Sequence, residues 1–144
     1  VKTAHFAVDE WESKHPLAKP YPAEWIEDRW RPLAETLEII RGAVGVTISV
    51  TPNGGYRSPA HNKAIGGRQF SQHMQGRAAD IKAGGAVSAE KLHATIARLW
   101  ANGKLPRLGG LGLYPTFVHV DVRANAMGTK LAQWNEAKTS KQLA

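Results

Sequence analysis

An α+β fold is predicted, with a small antiparallel sheet, helices on one of its faces and a polar cleft on the other. Three observations predict it. Two long stretches, Ala23 to Arg41 and Ala89 to Ala101, space their apolar residues by three and four; four short stretches, near residues 46–51, 77–82, 110–114 and 117–122, alternate or run apolar between glycine-rich turns; and the residues able to do chemistry gather on one side of those strands. The 144 residues are expected to form a single domain, with an irregular N-terminal segment over 1–20 and a C-terminal extension over 124–144.

In residues 1–20, Phe6, Val8 and Trp11 can cover a core edge, while His15-Pro16 and Lys19-Pro20 oppose a helix. Ile26, Trp30, Leu33, Leu37 and Ile40 form the stripe of the first helix; Pro32 should kink or restart it, because its ring and missing N–H oppose continuation. Gly42 and Gly45 stop that helix, Val46 to Val50 alternates as a strand, and Pro52-Asn53-Gly54-Gly55 turns the chain. Ser58-Pro59 reads as the N-cap and first residue of a short helix toward Ile65. Ser88 caps the helix Ala89 to Ala101, whose stripe is Leu92, Ile96, Leu99 and Trp100. Gly109-Gly110-Leu111-Gly112-Leu113 lacks the Gly-Lys-Ser/Thr ending of a phosphate loop and reads as a thin strand or loop walling a cleft. Ala124 to Gly128 is turn-like, and beyond it Leu131, Trp134 and Leu143 are the only large apolar groups, so a docked turn of helix and a frayed end are expected.

The chemistry concentrates between Gly55 and Ile81. His73 and Asp80 stand seven positions apart, too far to share a helix face as in His-Glu-x-x-His, so they belong on loop and strand, with Gly76 turning the chain between them. Asp80 follows Ala78-Ala79 and precedes Ile81, a buried strand with an inserted carboxylate that needs a cation or donors. In the segment Phe117 to Arg123, Val118, Val120 and Val122 fall on the core face while Phe117, His119, Asp121 and Arg123 fall on the other. With no cysteine, thiolate sites and disulfides are excluded. Zinc accepts imidazole and carboxylate, and a catalytic site takes three protein ligands and keeps one position open. His73, Asp80 and His119 would supply that set for one zinc ion, although two imidazoles and a carboxylate also accept other divalent ions.

Ser71, His73, Gly76, Ala78 and Asp80 complete the pattern S-x-H-x-x-G-x-A-x-D, and Gly55-Tyr56-Arg57-Ser58 supplies a G-Y-R-S element. On these motifs and the later His119, the chain resembles the zinc D-alanyl-D-alanine carboxypeptidases and related LAS-type peptidoglycan peptidases. The resemblance implies a LAS/hedgehog-like fold, with His73, Asp80 and His119 as zinc ligands and Arg57 holding a substrate carboxylate or polarising the scissile carbonyl. It implies hydrolysis of a stem-peptide or cross-link bond next to a D-amino acid, by a D,D-carboxypeptidase or an endopeptidase. Ser71 and Tyr114 are placed beside Arg57 as substrate-binding residues. Many family members carry an acidic general base three residues before the last ligand, where this chain has Thr116. Asp121 is the nearest acidic substitute, and it either takes the proton of the attacking water or orients a ligand imidazole.

Nineteen basic against twelve acidic residues give +7 and a pI near 9.9, which favours anionic partners. The basic residues are scattered rather than set in an aromatic-laced stripe, so peptidoglycan peptides are the expected partner and nucleic acid is not. A monomer is expected. No apolar run reaches membrane-span length, and residues 1–20 show no basic segment followed by an apolar core, so neither membrane insertion nor a leader is expected there. The expected location is the cell envelope, periplasmic or secreted, or the wall after phage delivery in the manner of an endolysin. Two other classes remain: a zinc-fold binding module for a wall peptide or protein partner, as in hedgehog domains, and a basic nucleic-acid binder with a steep salt dependence and no need for metal.

Overall fold

The computed structural model describes residues 1–124 and 130–137. In chain order its elements are α1 Arg31–Val44, β1 Ile48–Val50, α2 Pro59–Ala64, β2 Ala78–Ala83, α3 Ala89–Ala101, β3 Gly110–Leu113, β4 Val118–Asp121 and β5 Ala132–Asn135. The strands form one sheet in the order β1-β2-β4-β3-β5, antiparallel except for the β3–β5 pair, which is parallel. The α+β architecture and the four expected strands are therefore present, with a fifth added.

The entry to α1 is irregular. A 3₁₀ turn, Ala23–Trp25, and a π-helical turn, Ile26–Trp30, precede it, and Pro32 lies in its first turn, where a missing N–H costs nothing. Pro32 thus restarts the helix. Leu33, Leu37 and Ile40 of α1 and Leu92 and Ile96 of α3 pack onto Ile81, Leu111, Val118, Val120 and Val122 of the sheet in one apolar cluster. At about 1.5–3 kcal/mol for each large apolar side chain fully buried, this face supplies most of the driving force for folding. Phe6 and Trp11 close the edge of the cluster, with Trp11 edge-on to Trp30 at 5.6 Å. Both long helices lie on this one side, which leaves the opposite face of the sheet for the polar residues.

The C-terminal segment corrects the sequence reading, since residues 132–135 form a strand rather than a turn of helix. The free edge of β3 offers unpaired N–H and C=O groups, and Gly112 leaves room for Trp134 beside it: a Cβ on Gly112 would lie 2.3 Å from the indole Nε1. Most of the expected turn at Ala124 to Gly128, and the expected frayed end, lie outside the described residues. Among the described residues, no helix is long and apolar enough to cross a membrane.

Candidate metal centre

The pairing register puts four residues in one row on the polar face of the sheet. Asp80 on β2 faces His119 on β4, His119 faces Gly112 on β3, and Gly112 faces Trp134 on β5. His73 arrives from a 3₁₀ turn, Gln72–Gln75, whose N-cap Ser71 accepts the His73 N–H at Oγ. Gly76 then takes a left-handed conformation, φ 68°, which reverses the chain into β2. Its carbonyl accepts a 2.6 Å bond from the Tyr21 hydroxyl, so the turn between the two ligand positions is fixed from outside.

His73, Asp80 and His119 are all buried, and one ligand atom from each lies within 4.8 Å of the others. Asp80 Oδ1 is 3.2 Å from both His73 Nε2 and His119 Nδ1. The far nitrogens decide what these short contacts mean. His73 Nδ1 is 2.8 Å from the Gly55 carbonyl, and His119 Nε2 is 2.8 Å from Asp121 Oδ2. Both partners only accept, so each far nitrogen carries the hydrogen and each near nitrogen of a neutral ring presents a lone pair to Asp80. Two lone pairs and a carboxylate oxygen converging in a buried pocket repel one another unless a proton or a metal cation lies among them. The donor set therefore fits a divalent metal, with the opposite ring nitrogens held by oxygen acceptors, the arrangement that fixes a metal-ligating imidazole.

Charge around the centre is balanced by neighbours. Arg57 is 0% exposed; its Nη2 donates to Asp80 Oδ2 at 3.3 Å, its Nη1 to Asn62 Oδ1 and its Nε to the Asn53 carbonyl. Burial raises the Asp80 pKa, but the two histidines outweigh it and hold the carboxyl below its ordinary value. Burial lowers the pKa of His73 and prevails there. For His119 burial acts in the same sense, but hydrogen bonds to Asp121 and Asp80 override it and raise the pKa. Asp121 is fully buried and gripped by the Arg123 fork, Nε to Oδ1 and Nη2 to Oδ2, both at 2.8 Å. Gly110 makes room for that grip, because a Cβ there would sit 2.0 Å from Asp121 Oδ2.

A cleft of about 370 Å³ opens beside His119, between residues 68–72 and β5. Arg68, Phe70, Ser71, Arg123 and Trp134 are among its walls. Of the residues the sequence placed at the substrate, Ser71 lines this cleft and Arg57 and Tyr114 do not. The buried Tyr114 stacks on Phe117 and accepts the Trp134 indole N–H at 2.9 Å; burial pushes its hydroxyl up to about 12. His61 bonds Asn53 and stacks on His15, so it belongs to packing. Asn62, Arg123 and Trp134 received no site role from the sequence. Asn62 ties Arg57 to the Arg68 carbonyl, and only the two-residue spacing of Arg123 from Asp121 foreshadowed its place.

The Peptidase M15 family model matches residues 7–121 of the chain. The chain belongs to the peptidase M15 family. M15 peptidases are zinc-dependent metallopeptidases, and the matched segment contains His73, Asp80 and His119. It ends at Asp121, so Arg123 and β5 lie beyond it. No curated protein matches the chain.

Proposed function

We propose that this M15 chain is a zinc peptidase of the bacterial cell wall, hydrolysing a stem-peptide or cross-link bond next to a D-amino acid, as a D,D-carboxypeptidase or endopeptidase. The observation that carries it is the convergence of His73 Nε2, His119 Nδ1 and Asp80 Oδ1 beside an open cleft. Zinc held there supplies a Lewis acid for a carbonyl oxygen and a water. The chain's residues supply the rest. Gly55 and Asp121 keep the two imidazoles in the tautomers that face inward, and Arg57 braces the outer oxygen of Asp80. We assign Asp121 to orienting His119 rather than to taking a proton from water: it lies on the Nε2 side of the ring, opposite the nitrogen that faces Asp80, and is bonded to Arg123. The net charge of +7 suits an anionic wall as partner and the envelope, or the wall after phage delivery, as the place of action.

One observation favours a second reading, a zinc-fold binding module. Among the described residues the cleft wall carries no carboxylate, and the exposed Thr116 occupies the family's usual base position. Digestion of purified peptidoglycan with chelator and with restored zinc, followed by mass spectrometry, separates the two. Zinc-dependent loss of a terminal D-Ala or a cross-link is the expected result. Retained zinc without cleavage overturns the hydrolase reading and leaves the binding module.

A further inference from the structure

The cleft beside His119 has a chemical bias that the metal centre does not explain. Its walls carry two guanidiniums, Arg68 and Arg123, around the indole of Trp134, with their central carbons 5.7 and 5.8 Å from the ring centroid. Each guanidinium has an acidic partner, but neither acid lines the cleft: Asp121 is fully buried, and Glu136, the partner of Arg68, lies past the end of β5. The arginine side chains remain 47% and 32% exposed. Arg68 spends only Nη2 on Glu136, and Arg123 spends Nε and Nη2 on Asp121. Arg68 Nε and Nη1 and Arg123 Nη1 have no hydrogen-bond partner among the described residues. The Trp134 ring is 5.0 Å from the His119 ring, so a group seated on it lies about one peptide residue from the metal ligands.

We propose that Arg68, Arg123 and Trp134 form a carboxylate-recognising subsite that selects peptides bearing an acidic group within one residue of the scissile bond. The inference rests on the hydrolase reading for its bond but on the cleft for its chemistry. Guanidiniums hold carboxylates through paired, charge-assisted hydrogen bonds, and the flat indole near both limits the approach. Arg123, just after β4, and Trp134, on β5, lie beyond the matched M15 segment, so residues outside that segment set the preference.

The test uses the zinc-loaded full chain and a set of synthetic stem peptides in which each carboxylate is amidated singly. One amidation is expected to lower kcat/KM at least about tenfold. In Arg68→Gln that penalty should shrink below about twofold. Glu136→Gln breaks the same ion pair but keeps the guanidinium, so the penalty should persist there; a purely structural role for the pair would give both variants the same behaviour. Equal cleavage of all peptides by the unaltered chain, or an undiminished penalty in Arg68→Gln, overturns the subsite. If no peptide is cleaved the hydrolase reading fails separately, and calorimetric affinities of the same peptides decide the subsite by the same ratios and variants.

Discussion

The two faces of β4 are buried alike and held in opposite ways. Val118, Val120 and Val122 meet the helices through many small, interchangeable contacts, each worth a fraction of a kcal/mol. His119 and Asp121 sit between them in sequence, yet each depends on one or two named partners: Asp80 and Asp121 for the ring, Arg123 and His119 for the carboxylate. Burial therefore does not set tolerance. On the apolar face a lost group leaves a void; on the polar face it leaves a charge or a lone pair with nothing to answer it.

Asp80→Ala should show the largest difference between the faces. It removes one of the three groups able to hold a metal and the carboxylate that meets the buried Arg57 guanidinium, so zinc should be lost on dialysis and stability should fall by about 3–5 kcal/mol. Leu111→Ala on the helix side should cost a comparable 2–5 kcal/mol, roughly, through its cavity. The folded fraction of that variant should nonetheless keep one zinc per chain. Metal content measured beside denaturant unfolding checks both, and a stoichiometric zinc in Asp80→Ala would break the comparison.

Asp121→Asn comes next, since it keeps the shape and removes the charge behind His119. Loss of such a partner typically costs about 10–100-fold in metal affinity. Competition with a chromophoric chelator measures it. At saturating zinc the variant should recover most of its peptidase rate. A rate that stays near zero with zinc fully bound would instead make Asp121 the proton acceptor.

How much of this was legible in the sequence follows from how local each feature is. His73 and Asp80 are separated by six residues, one of them the left-handed Gly76, so their pairing was readable, and strict alternation placed His119 and Asp121 on one face. Ser58 and Ser88 cap their helices as expected because a cap is written within three residues. The role of Asp121 stayed open because spacing cannot say which ring nitrogen a carboxylate meets. The strand β5 was missed for a different reason. In Ala132-Gln133-Trp134-Asn135 only Trp134 favours a strand; the segment extends because β3 offers an edge and Gly112 a space, and both lie about twenty residues away. The glycines of β3 left strand and loop both open for the same reason. Gly110 and Gly112 are small because Asp121 and Trp134 fill the places their side chains would take.

Acidity sharpens the comparison with a smaller effect. His119 holds its proton above the ordinary histidine range, so zinc competes with that proton first, and zinc affinity should fall about tenfold per pH unit below the raised pKa. Asp80, with its pKa lowered, competes only at far lower pH. The metal-free protein should respond to His119 in the opposite sense. A folded pKa above the unfolded value of about 6.5 gives stability that is complete below that pH and lost as pH rises through the folded pKa. Melting temperatures between about pH 6 and 8 should thus rise with pH when zinc is bound and fall, for this group, when it is chelated. Parallel trends in the two forms would mean that His119 does not meet the metal.

Ile81→Val should produce the smallest change and gives the most direct comparison. Ile81 follows Asp80 on the same strand and points to the opposite face, so the substitution removes one methylene within one residue of a metal ligand. The cost should be about 0.5–1.5 kcal/mol in unfolding free energy. Zinc affinity should move less than about twofold, because the lost contacts are dispersed among the helix residues and the backbone of β2 stays paired to both neighbours. A weakening as large as that of Asp121→Asn would show that the strand transmits small shifts from core to ligand. The two faces would then form one mechanical unit, and packing on the helix side would have to be counted among the determinants of the metal centre.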